Sequence, residues 1–393
     1  MVEQTNVVVV GGGVVGTATA FHLAERGVET VLVDDDRPGD ATAAGAGIVS
    51  PPTNSSHETD DWFAFAEAAA DHYPTLIRRL ESQGVDDHGY AEGDLLSVAR
   101  TEAEAEVLET DRERAAARGA DFAEITPSEA EDAFPALDGV ERALRFSGAA
   151  RVDGATLTAG LRRAGRRTGL TTFEGTVEEI RVDAGAVAGV VVDAAGATAR
   201  QEQRTAGGSE RIDADHVVVA GGAWSSAFAD DLGCSLPVEP VRGQIAHLDA
   251  STVDAVAGAD QLPIVGSVAD DYIVPWPDDR IVVGATREHD AGFDPRTTAA
   301  GVHSVLDKGL RLAPGLEDAT FEEIRVGLRP GTPDGLPILG PVPDVEGAYV
   351  TTGHGPNGLT LGPYSGAVIA GLIDGEAPDS DLSAFDPARF VDR

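Results

Sequence analysis

The chain has 393 residues, 42% of them hydrophobic, and carries a formal net charge of -38, with 67 acidic residues against 29 basic ones. Its length favours two domains, and its apolar content is sufficient for buried cores. The acidic balance excludes nucleic acid and anionic lipid as partners, because both require lysine and arginine to neutralise phosphate.

The acidic residues are scattered along the chain, and Lys308 is its single lysine. This composition favours a halophilic protein from a salt-rich cytoplasm, where screening removes self-repulsion. Cys234 is the single cysteine and the nine histidines are dispersed, so we expect no disulfide and no metal site. The start of the chain lacks the pattern of a secretion signal, and no apolar run is long enough to cross a bilayer. We therefore expect a cytoplasmic protein without a transmembrane segment.

A strand, a glycine-rich turn and a helix open the chain. The β-branched run at 6–10 predicts a strand buried on both faces, and helix-forming residues follow at 17–26. Between them lies the sequence Gly-Gly-Gly-Val-Val-Gly at 11–16, and a second strand at 29–33 ends at Asp34. This G-x-G-x-x-G pattern, with an acid about twenty residues later, is typical of a dinucleotide-binding unit.

The residue types of this unit suit dinucleotide binding. Gly11 permits the tight turn, Gly13 lets the backbone approach a pyrophosphate, and Gly16 lets the helix lie close to the strand. The helix N-terminus adds amide donors and the positive end of a dipole. Asp34 can accept hydrogen bonds from a ribose diol. The motif alone leaves FAD and NAD both open.

The next segment, 37–48, consists mostly of small residues. It suits backbone packed against a long flat cofactor, whereas a simple NAD-binding unit continues directly to its next helix. This favours FAD. A flexible Gly/Ala linker is the alternative interpretation.

The middle of the chain alternates helical and strand patterns. The patterns predict helices at 57–83, at 101–118 and from 154 to 167, and strands between 171 and 192. They predict a loop or hairpin at 193–211 and a buried parallel strand that ends in glycines at 217–224. An antiparallel sheet is predicted over 241–290, with its clearest strands at 272–275 and 281–284. A second strand ending in glycines so late in the chain predicts a discontinuous cofactor domain.

The C-terminal part begins with a segment at 327–340 that is rich in proline and glycine and predicts an ordered loop. A short strand at 348–352, a glycine-rich turn at 353–358 and an apolar helix at 359–373 follow. The chain therefore contains a second helix N-terminus that suits negative charge.

Taken together, these motifs resemble the superfamily of FAD-dependent D-amino acid oxidases, glycine oxidases and sarcosine oxidases (the DAO family), nearest the glycine oxidase and D-amino acid dehydrogenase branches. The resemblance covers essentially the whole chain. The motifs that carry it lie at 9–16, 219–225, 240–244, 272–275, 282–286, 327–334 and 352–355.

The resemblance implies a mixed α/β fold in which a Rossmann-type FAD-binding domain carries an inserted α+β domain with an antiparallel sheet. The FAD-binding domain is expected at 1–50, 148–235 and 320–393, and the substrate-binding domain at 51–147 and 236–319. The flavin ring is expected between the two domains.

The resemblance also implies candidate catalytic residues. Arg329 falls where the glycine oxidase type has the arginine that binds the substrate carboxylate, and Tyr272 falls where that group has a tyrosine in the same pocket. A guanidinium can bind a carboxylate with two parallel hydrogen bonds, and a phenol adds one donor. His354 is expected at the flavin edge, with a structural histidine in a turn as the alternative. An ordinary surface arginine and plain sheet packing are the alternatives for the other two.

A larger set is expected to contact the cofactor, with the backbone amides at 355–358 directed at the flavin carbonyl that becomes negative on reduction. These residues are Gly11, Gly13, Val14, Val15, Gly16, Asp34, Asp35, Ala43, Ala44, Ala46, Gly47, Ile48, Val177, Ala220, Gly221, Gly222, Trp224, Gly243, Arg329, Gly355, Pro356, Asn357, Gly358, Leu359 and Thr360. Relatives that attach FAD covalently have a cysteine at the position of Gly327 or a histidine within 41–48. Both are missing here, so the FAD is expected to be noncovalent.

The function implied is oxidation of a small amino acid of the D-amino acid, glycine or N-methylglycine type. A hydride passes from Cα to flavin N5, and the resulting imine hydrolyses. Oxygen or a quinone or other electron carrier is the acceptor, and a homo-oligomer is compatible with the sequence. The sarcosine oxidase branch has an oxygen-activating lysine near the position of Val282, and its absence here counts against that branch.

Four alternatives stay open. The first is an FAD-dependent dehydrogenase of a 2-hydroxy acid or an imino acid, and the second is a relative that acts on a glycerol phosphate. The third is a flavin-binding subunit that relays electrons, and the fourth is an NAD-dependent dehydrogenase.

Overall fold

The computed structural model describes residues 4–53, 59–193 and 209–390. Within these ranges no helix has the length and apolarity that crossing a membrane requires. The α-helices, in chain order, are α1 (Val14–Glu25), α2 (Asp60–Ser82), α3 (Glu102–Ala117), α4 (Pro127–Ala133), α5 (Gly154–Arg167), α6 (Ala229–Leu232), α7 (Ala299–Leu312) and α8 (Gly358–Ile373).

The strands form two sheets. In chain order they are β1 (Gln4–Val10), β2 (Thr30–Asp34), β3 (Ile48–Val49), β4 (Tyr90–Ala99), β5 (Phe122–Ile125), β6 (Arg142–Val152), β7 (Thr171–Glu174), β8 (Thr176–Asp183), β9 (Ala186–Asp193), β10 (Ser209–Val219), β11 (Glu239–Asp249), β12 (Ile264–Ser267), β13 (Tyr272–Pro275), β14 (Arg280–Gly284), β15 (Thr320–Gly331), β16 (Ile338–Pro341) and β17 (Ala348–Thr352).

The first sheet has the order β16-β17-β10-β1-β2-β7 in the described residues, with β8 and β9 joined to it through β10. The strands β17, β10, β1, β2 and β7 are parallel, so their carboxyl ends lie at one edge. Ligands of open parallel sheets bind outside this edge. The glycine-rich turn after β1 and the turn between β17 and α8 both lie there.

Strand β1 is buried on both faces, as its β-branched sequence predicts. Val7 and Val9 pack with residues of α1, α2 and α8 on one face. Val8 and Val10 pack on the other face with residues of β8, β9 and the segment 228–238. The first sheet is therefore the central layer of this part of the molecule.

The second sheet has the order β15-β11-β14-β13-β12-β4-β6-β3, with β5 paired to β6. Its pairs are antiparallel except for β4 and β12, which run parallel. Helix α7 packs on β11 and β14, with Val305 and Leu312 in the core beneath them. The strands β13 and β15 carry the candidate substrate residues Tyr272 and Arg329.

The sequence predicted most of these elements within a few residues. The structure begins α1 at Val14 rather than at 17 and α2 at Asp60 rather than at 57, and 57–58 lie outside the described residues. Most of the loop or hairpin predicted at 193–211 also lies outside them, since only its ends are described. Those ends, Asp193 and Ser209, pair across β9 and β10.

The ordered loop predicted at 327–340 is wrong in part, because 327–331 belong to β15 and 338–341 form β16. Strand β15 lies at the edge of the second sheet and pairs only with β11 in the described residues. Edge strands tolerate proline, because the N–H it lacks is not needed on the open side. Pro330 lies opposite Pro240 in this pair.

Strand pairing also bears on the domain boundaries. Residues 148–152 and 320–331 were expected in the cofactor domain, but they pair in the second sheet as parts of β6 and β15. The two sheets thus share segments near the site. The division into an FAD-binding and a substrate-binding domain stays a prediction.

Candidate active site

A cavity of about 770 Å³ extends from the carboxyl end of β1 to the strands of the second sheet. Gly11, Gly13 and Asp34 line one end, and Tyr272 and Arg329 line the other. Each residue that the sequence analysis placed in the site lies on the wall of this cavity, with the exception of Gly16. The structure therefore brings residues separated by more than 300 positions into one space.

Gly11 and Gly16 show why the first turn requires glycine. Gly11 has φ of +103°, a conformation that L side chains rarely adopt. A Cβ on Gly16 would lie 2.0 Å from the carbonyl oxygen of Gly11 and 3.1 Å from the Cβ of Ala220. Gly16 thus lies behind the cavity wall, where it permits close packing of α1 on the strands.

Asp34 is held in a fixed position at the end of β2. Its Oδ1 accepts a hydrogen bond from the Gly12 amide at 3.0 Å, and its Oδ2 accepts one from Arg162 Nη2 at 2.6 Å. Arg162 Nη2 also donates to the Gly12 carbonyl oxygen at 2.6 Å. Each carboxylate oxygen has a second lone pair, so Asp34 retains capacity for a ribose hydroxyl. Sequence reasoning missed Arg162, because its position on α5 gives no local indication of this contact.

The small residues of 41–48 line the cavity, but the protein itself also requires some of them to be small. A Cβ on Gly45 would lie 2.6 Å from Leu359 Cδ1. One on Gly47 would lie 2.0 Å from the Val152 carbonyl oxygen. In the same segment, Thr42 Oγ1 accepts a hydrogen bond from the Val14 amide at 3.0 Å. Thr42 was not singled out in the sequence, although it ties this segment to the start of α1.

The cavity walls fit FAD. The helices α1 and α8 both begin at the cavity, and neither has an acidic residue in its first turn or a hydrogen bond from the side chain of its own N-cap residue. No negative charge within either helix faces its N-terminus, so the positive ends of both helix dipoles suit an anionic ligand. The α1 end suits a pyrophosphate, and the α8 end, at 355–360, suits a ring that gains negative charge. Between them the wall consists of small residues, which leave room for a flat group.

Arg329 and Tyr272 lie together at the other end of the cavity, and glycines on the neighbouring strands make room for them. Arg329 Nη1 donates a hydrogen bond to the Thr286 carbonyl oxygen at 2.9 Å. A Cβ on Gly243 would lie 2.2 Å from Arg329 Nη1, and one on Gly284 would lie 2.6 Å from the Tyr272 hydroxyl oxygen. The guanidinium and the phenol thus occupy space that only glycine leaves free.

The electrostatics of this pair suit a carboxylate. Burial raises the pKa of Tyr272, so its phenol stays protonated and donates a hydrogen bond. Burial lowers the pKa of Arg329, but a guanidinium remains charged at neutral pH. The two side chains also interact with each other. Together they present one positive charge and several donors to the cavity.

A hydrogen-bond network supports the segment that holds Arg329. Glu288 Oε1 accepts from Gln244 Nε2 at 2.7 Å and from Thr286 Oγ1 at 2.8 Å. Arg242, of which 9% of the side chain is exposed, donates from Nη2 to Glu288 Oε2 at 2.7 Å. These bonds hold Thr286 in place, so that its carbonyl oxygen can accept the hydrogen bond from Arg329.

A second arginine, Arg287, and its partner Asp270 also line this end of the cavity. Sequence reasoning missed both residues. Arg287 follows the Val-Val-Gly-Ala-Thr motif at 282–286 directly, and Asp270 precedes Tyr272 by two residues. Only their positions in the sequence, close to the Val-Val-Gly-Ala-Thr motif and to Tyr272, could have indicated that they belong to the site.

His354 is buried at the cavity wall, where 3% of it is exposed. Its Nε2 lies 2.9 Å from the Ser365 hydroxyl oxygen on α8. Burial lowers the pKa of His354 to about 4, so the ring is neutral at physiological pH. His354 therefore forms part of the cavity wall as a neutral ring that is hydrogen-bonded to Ser365. In the part of the chain that the structure describes, no three His, Cys, Asp or Glu residues are grouped to hold a metal ion.

Comparison with known proteins gives consistent matches along the chain. The sequence profile of the DAO family, described as FAD dependent oxidoreductase, matches residues 6–372. The chain is 39% identical over 389 residues to the uncharacterized oxidoreductase YurR of Bacillus subtilis (strain 168), covering 97% of this chain and 98% of that protein. It is 35% identical over 398 residues to a glycine oxidase of Pseudomonas putida, with the same two coverages.

The fold is also that of a solved structure. The crystal structure of iminodiacetate oxidase (IdaA) from Chelativorans sp. BNC1 matches with a TM-score of 0.87 and 35% sequence identity. The match covers 97% of this chain and 99% of that one. The mixed α/β architecture described above is therefore shared along nearly the whole length of both chains.

Proposed function

Because the chain belongs to the DAO family of FAD-dependent oxidoreductases, we propose that it oxidises a small amino acid of the glycine, N-methylglycine or D-amino acid type. The Cα–N bond becomes an imine, and water hydrolyses the imine to an oxo acid and ammonia or an amine. FAD, held noncovalently at the N-termini of α1 and α8 and along the small residues of 41–48, would supply the acceptor for the hydride that leaves Cα. Amino acid oxidation on a flavin is what the family membership supports; the choice of substrate is our proposal.

The arrangement of Arg329 and Tyr272 carries this proposal. A guanidinium and a protonated phenol at one end of the cavity suit a carboxylate. The other end holds the two helix N-termini that suit FAD. A substrate bound by its carboxylate to Arg329 would place its Cα within the cavity between them. The protein's contribution to catalysis is then mainly to position the substrate.

The relatives add support on substrate class. The Pseudomonas putida protein is named for glycine, and the matched crystal structure is of an enzyme named for iminodiacetate. Both compounds carry a carboxylate next to the carbon that bears nitrogen. A carboxylate-binding arginine is the feature that both substrates would require.

The amine of the substrate must be deprotonated before Cα can give up a hydride, because its lone pair stabilises the iminium that forms. His354 is neutral and engaged with Ser365, so it is poorly placed to change protonation during turnover. We therefore propose that the substrate binds as the free amine and that no histidine serves as a general base.

The proposal is tested with the visible spectrum of the yellow protein under anaerobic conditions. Glycine, N-methylglycine, D-alanine, L-alanine and D-lactate are added one at a time. Bleaching of the flavin band by one of the amines is expected, and readmitted air then distinguishes an oxidase from a dehydrogenase. Bleaching by D-lactate alone would contradict the proposal and favour a 2-hydroxy acid.

Arg329→Ala tests the role of the arginine. Loss of a charge-assisted pair of hydrogen bonds costs about 1.5–3 kcal/mol, so KM for the amino acid should rise roughly 10- to 100-fold. The flavin content should stay unchanged, because the variant leaves both helix N-termini intact. Unchanged kinetics would remove Arg329 from the substrate site, and loss of flavin would assign it to cofactor binding instead.

A further inference from the structure

A glycine forms part of the cavity wall beside Tyr272. Three neighbouring strands meet there, with Tyr272 of β13 opposite Gly266 of β12, and Gly266 opposite Ser97 of β4. All three residues line the cavity. Residues that lie directly opposite each other in a sheet present their side chains on the same face. A side chain at position 266 would therefore point into the cavity, between Tyr272 and Ser97.

The space above Gly266 is open. A Cβ there would lie 3.9 Å from the Leu96 carbonyl oxygen and 4.0 Å from Leu95 Cδ2, which are ordinary van der Waals distances. No atom of Tyr272 comes that close. The phenol lies over β14 instead, on the other side of β13, since a Cβ on Gly284 would be 2.6 Å from its hydroxyl oxygen. The side chain of Tyr272 thus leaves the space above Gly266 free.

Gly266 differs in this respect from the two other glycines that surround the candidate substrate residues. The guanidinium of Arg329 fills the space above Gly243, and the phenol of Tyr272 fills the space above Gly284. Gly266 has no such occupant, and its φ lies outside the left-handed region that favours glycine. A glycine inside a strand often marks a place where a ligand approaches the backbone closely. Neither backbone conformation nor packing requires a glycine here, whereas a ligand would.

The surroundings of this space are apolar. Leu95 lies on the same face of β4 as Ser97, two residues away, and its Cδ2 borders the space above Gly266. Leu95, Ala46 and Ile48 belong to one apolar cluster, and all three line the cavity. Burial of aliphatic carbon among such groups is favourable. The space therefore suits a short aliphatic group.

We propose that Gly266 is a specificity-determining residue and that the space above it binds a short aliphatic substituent of the substrate. The preferred substrates are then amino acids with a methyl or ethyl group on Cα or on nitrogen, rather than glycine itself. Arg329 binds the carboxylate that all of them share, and Gly266 selects among them by the room it leaves. The inference rests on the proposed function for its amine chemistry, but its binding step needs no turnover.

The binding step is tested by titration calorimetry on the flavin-loaded protein. Acetate, propionate and butyrate serve as probes, because each carries one carboxylate and no amine. In the wild type the affinity should rise about fourfold for each added methylene, as burial of aliphatic carbon predicts. Gly266→Ala should reduce this gain and Gly266→Val should abolish it, because the new side chains occupy the space. Acetate affinity and flavin content should stay unchanged in both variants.

Gly93→Val is the matched control. Gly93 lies on the neighbouring strand β4 and away from the cavity wall, and a Cβ there would meet nothing within 4 Å. This variant should keep the gain from acetate to butyrate. Equal affinities of the wild type for the three acids would overturn the inference, as would an undiminished gain in Gly266→Val. Loss of flavin from Gly266→Val would assign the space to the cofactor and also overturn it.

Turnover shows which substituent uses the space. D-2-Aminobutyrate and N-ethylglycine are isomers that carry the same ethyl group on Cα and on nitrogen, respectively. At least one of them should have a higher kcat/KM than glycine in the wild type. Gly266→Val should reverse that order by lowering only the value for the substituted amino acid. A wild type that prefers glycine to both isomers would contradict the inference.

The two measurements together separate this inference from the proposed function. If no amine bleaches the flavin but butyrate still binds more tightly than acetate, and only while position 266 is glycine, the proposed function fails and the inference stands. If glycine is oxidised but acetate and butyrate bind equally well, the proposed function stands and the inference fails.

Discussion

Gly243 lies beneath the guanidinium of Arg329 on the neighbouring strand, and its lack of a side chain is part of the proposed substrate site. A Cβ there would lie 2.2 Å from Arg329 Nη1, which is closer than real Cβ contacts come. Gly243→Ala should therefore displace the guanidinium and lower kcat/KM by roughly 10- to 100-fold, comparable to loss of a charged hydrogen-bonding partner. Steady-state kinetics with the best amine would measure it.

Gly93→Ala is the control for that substitution, because a Cβ on Gly93 would meet nothing within 4 Å. It tests the effect of an added methyl group in the same sheet without a clash. Equal loss of activity in both variants, or an unchanged KM in Gly243→Ala, would show that Arg329 adapts or lies outside the site.

The buried histidines give a pH dependence of stability. Burial lowers the pKa of His247 and of His354 to about 4, against about 6.5 in the unfolded chain. The unfolded state binds more protons between these values, so stability is lost as the pH falls from about 6.5 toward 4. Each histidine contributes at most about 3.4 kcal/mol to this loss.

Denaturant unfolding at pH 7, 5 and 4, at constant salt, would measure the loss. His354→Gln should be less sensitive to acid than wild type over this range, because the side chain no longer titrates. A free energy of unfolding that changes equally with pH in both proteins would contradict the assignment of a depressed pKa to His354.

At the scale of elements, Lys308 joins α7 to the two strand ends that carry the site. Its Nζ lies 2.8 Å from Asp271 Oδ1 and donates a hydrogen bond to the Ala285 carbonyl oxygen at 3.0 Å. Asp271 is buried and precedes Tyr272, and Ala285 precedes Thr286. In a chain whose other cations are all arginine, the single lysine thus lies where a compact ammonium can reach both groups.

Lys308→Met should lower the free energy of unfolding by about 1–3 kcal/mol, because the buried carboxylate of Asp271 loses one of its two cationic partners. It should also raise KM, since Tyr272 and Thr286 lose their support. Arg311→Met is the comparison, because Arg311 pairs with the same Asp271 but is 59% exposed, and it should cost less than about 1 kcal/mol. A larger effect in Arg311→Met would contradict the special role of Lys308.

Local sequence predicted most of the fold, because buried parallel strands and amphipathic helices have clear patterns. The strand at 217–219 and the helix at 358–373 are examples. The error at 327–331 arose because proline and glycine usually mark loops, whereas an edge strand accepts them. Residues 327–331 form a strand because they pair with β11, and this pairing cannot be predicted from the local sequence.

The candidate site, like the fold, was predicted from the sequence only where a local motif marks it. Family membership and FAD dependence, which the motifs indicated, are confirmed by the family match. The positions of Gly11, Tyr272 and Arg329 were accessible from motifs, although their roles stay predictions. Arg162 and Arg287 were missed, because each acts through a partner that only the tertiary structure brings near. Charged side chains of this kind look like ordinary surface residues in a sequence.

For the molecule as a whole, the net charge of -38 sets the conditions of every measurement above. Ion pairs are frequent among the described residues, but many involve exposed side chains and contribute little individually. The excess of acidic groups repels itself in dilute buffer and is screened in concentrated salt, where the Debye length falls to about 3 Å at 1 M. Salt should therefore favour the folded state.

Thermal unfolding in KCl from 0.1 to 3 M tests this prediction. The midpoint should rise by several degrees and approach a plateau near 1 M, because screening is then nearly complete over the spacing of surface charges. Sucrose at matched osmolality is the control, because it does not screen charge. A midpoint that is independent of KCl, or that responds equally to sucrose, would refute stabilisation by screening and the expectation that the protein is adapted to salt.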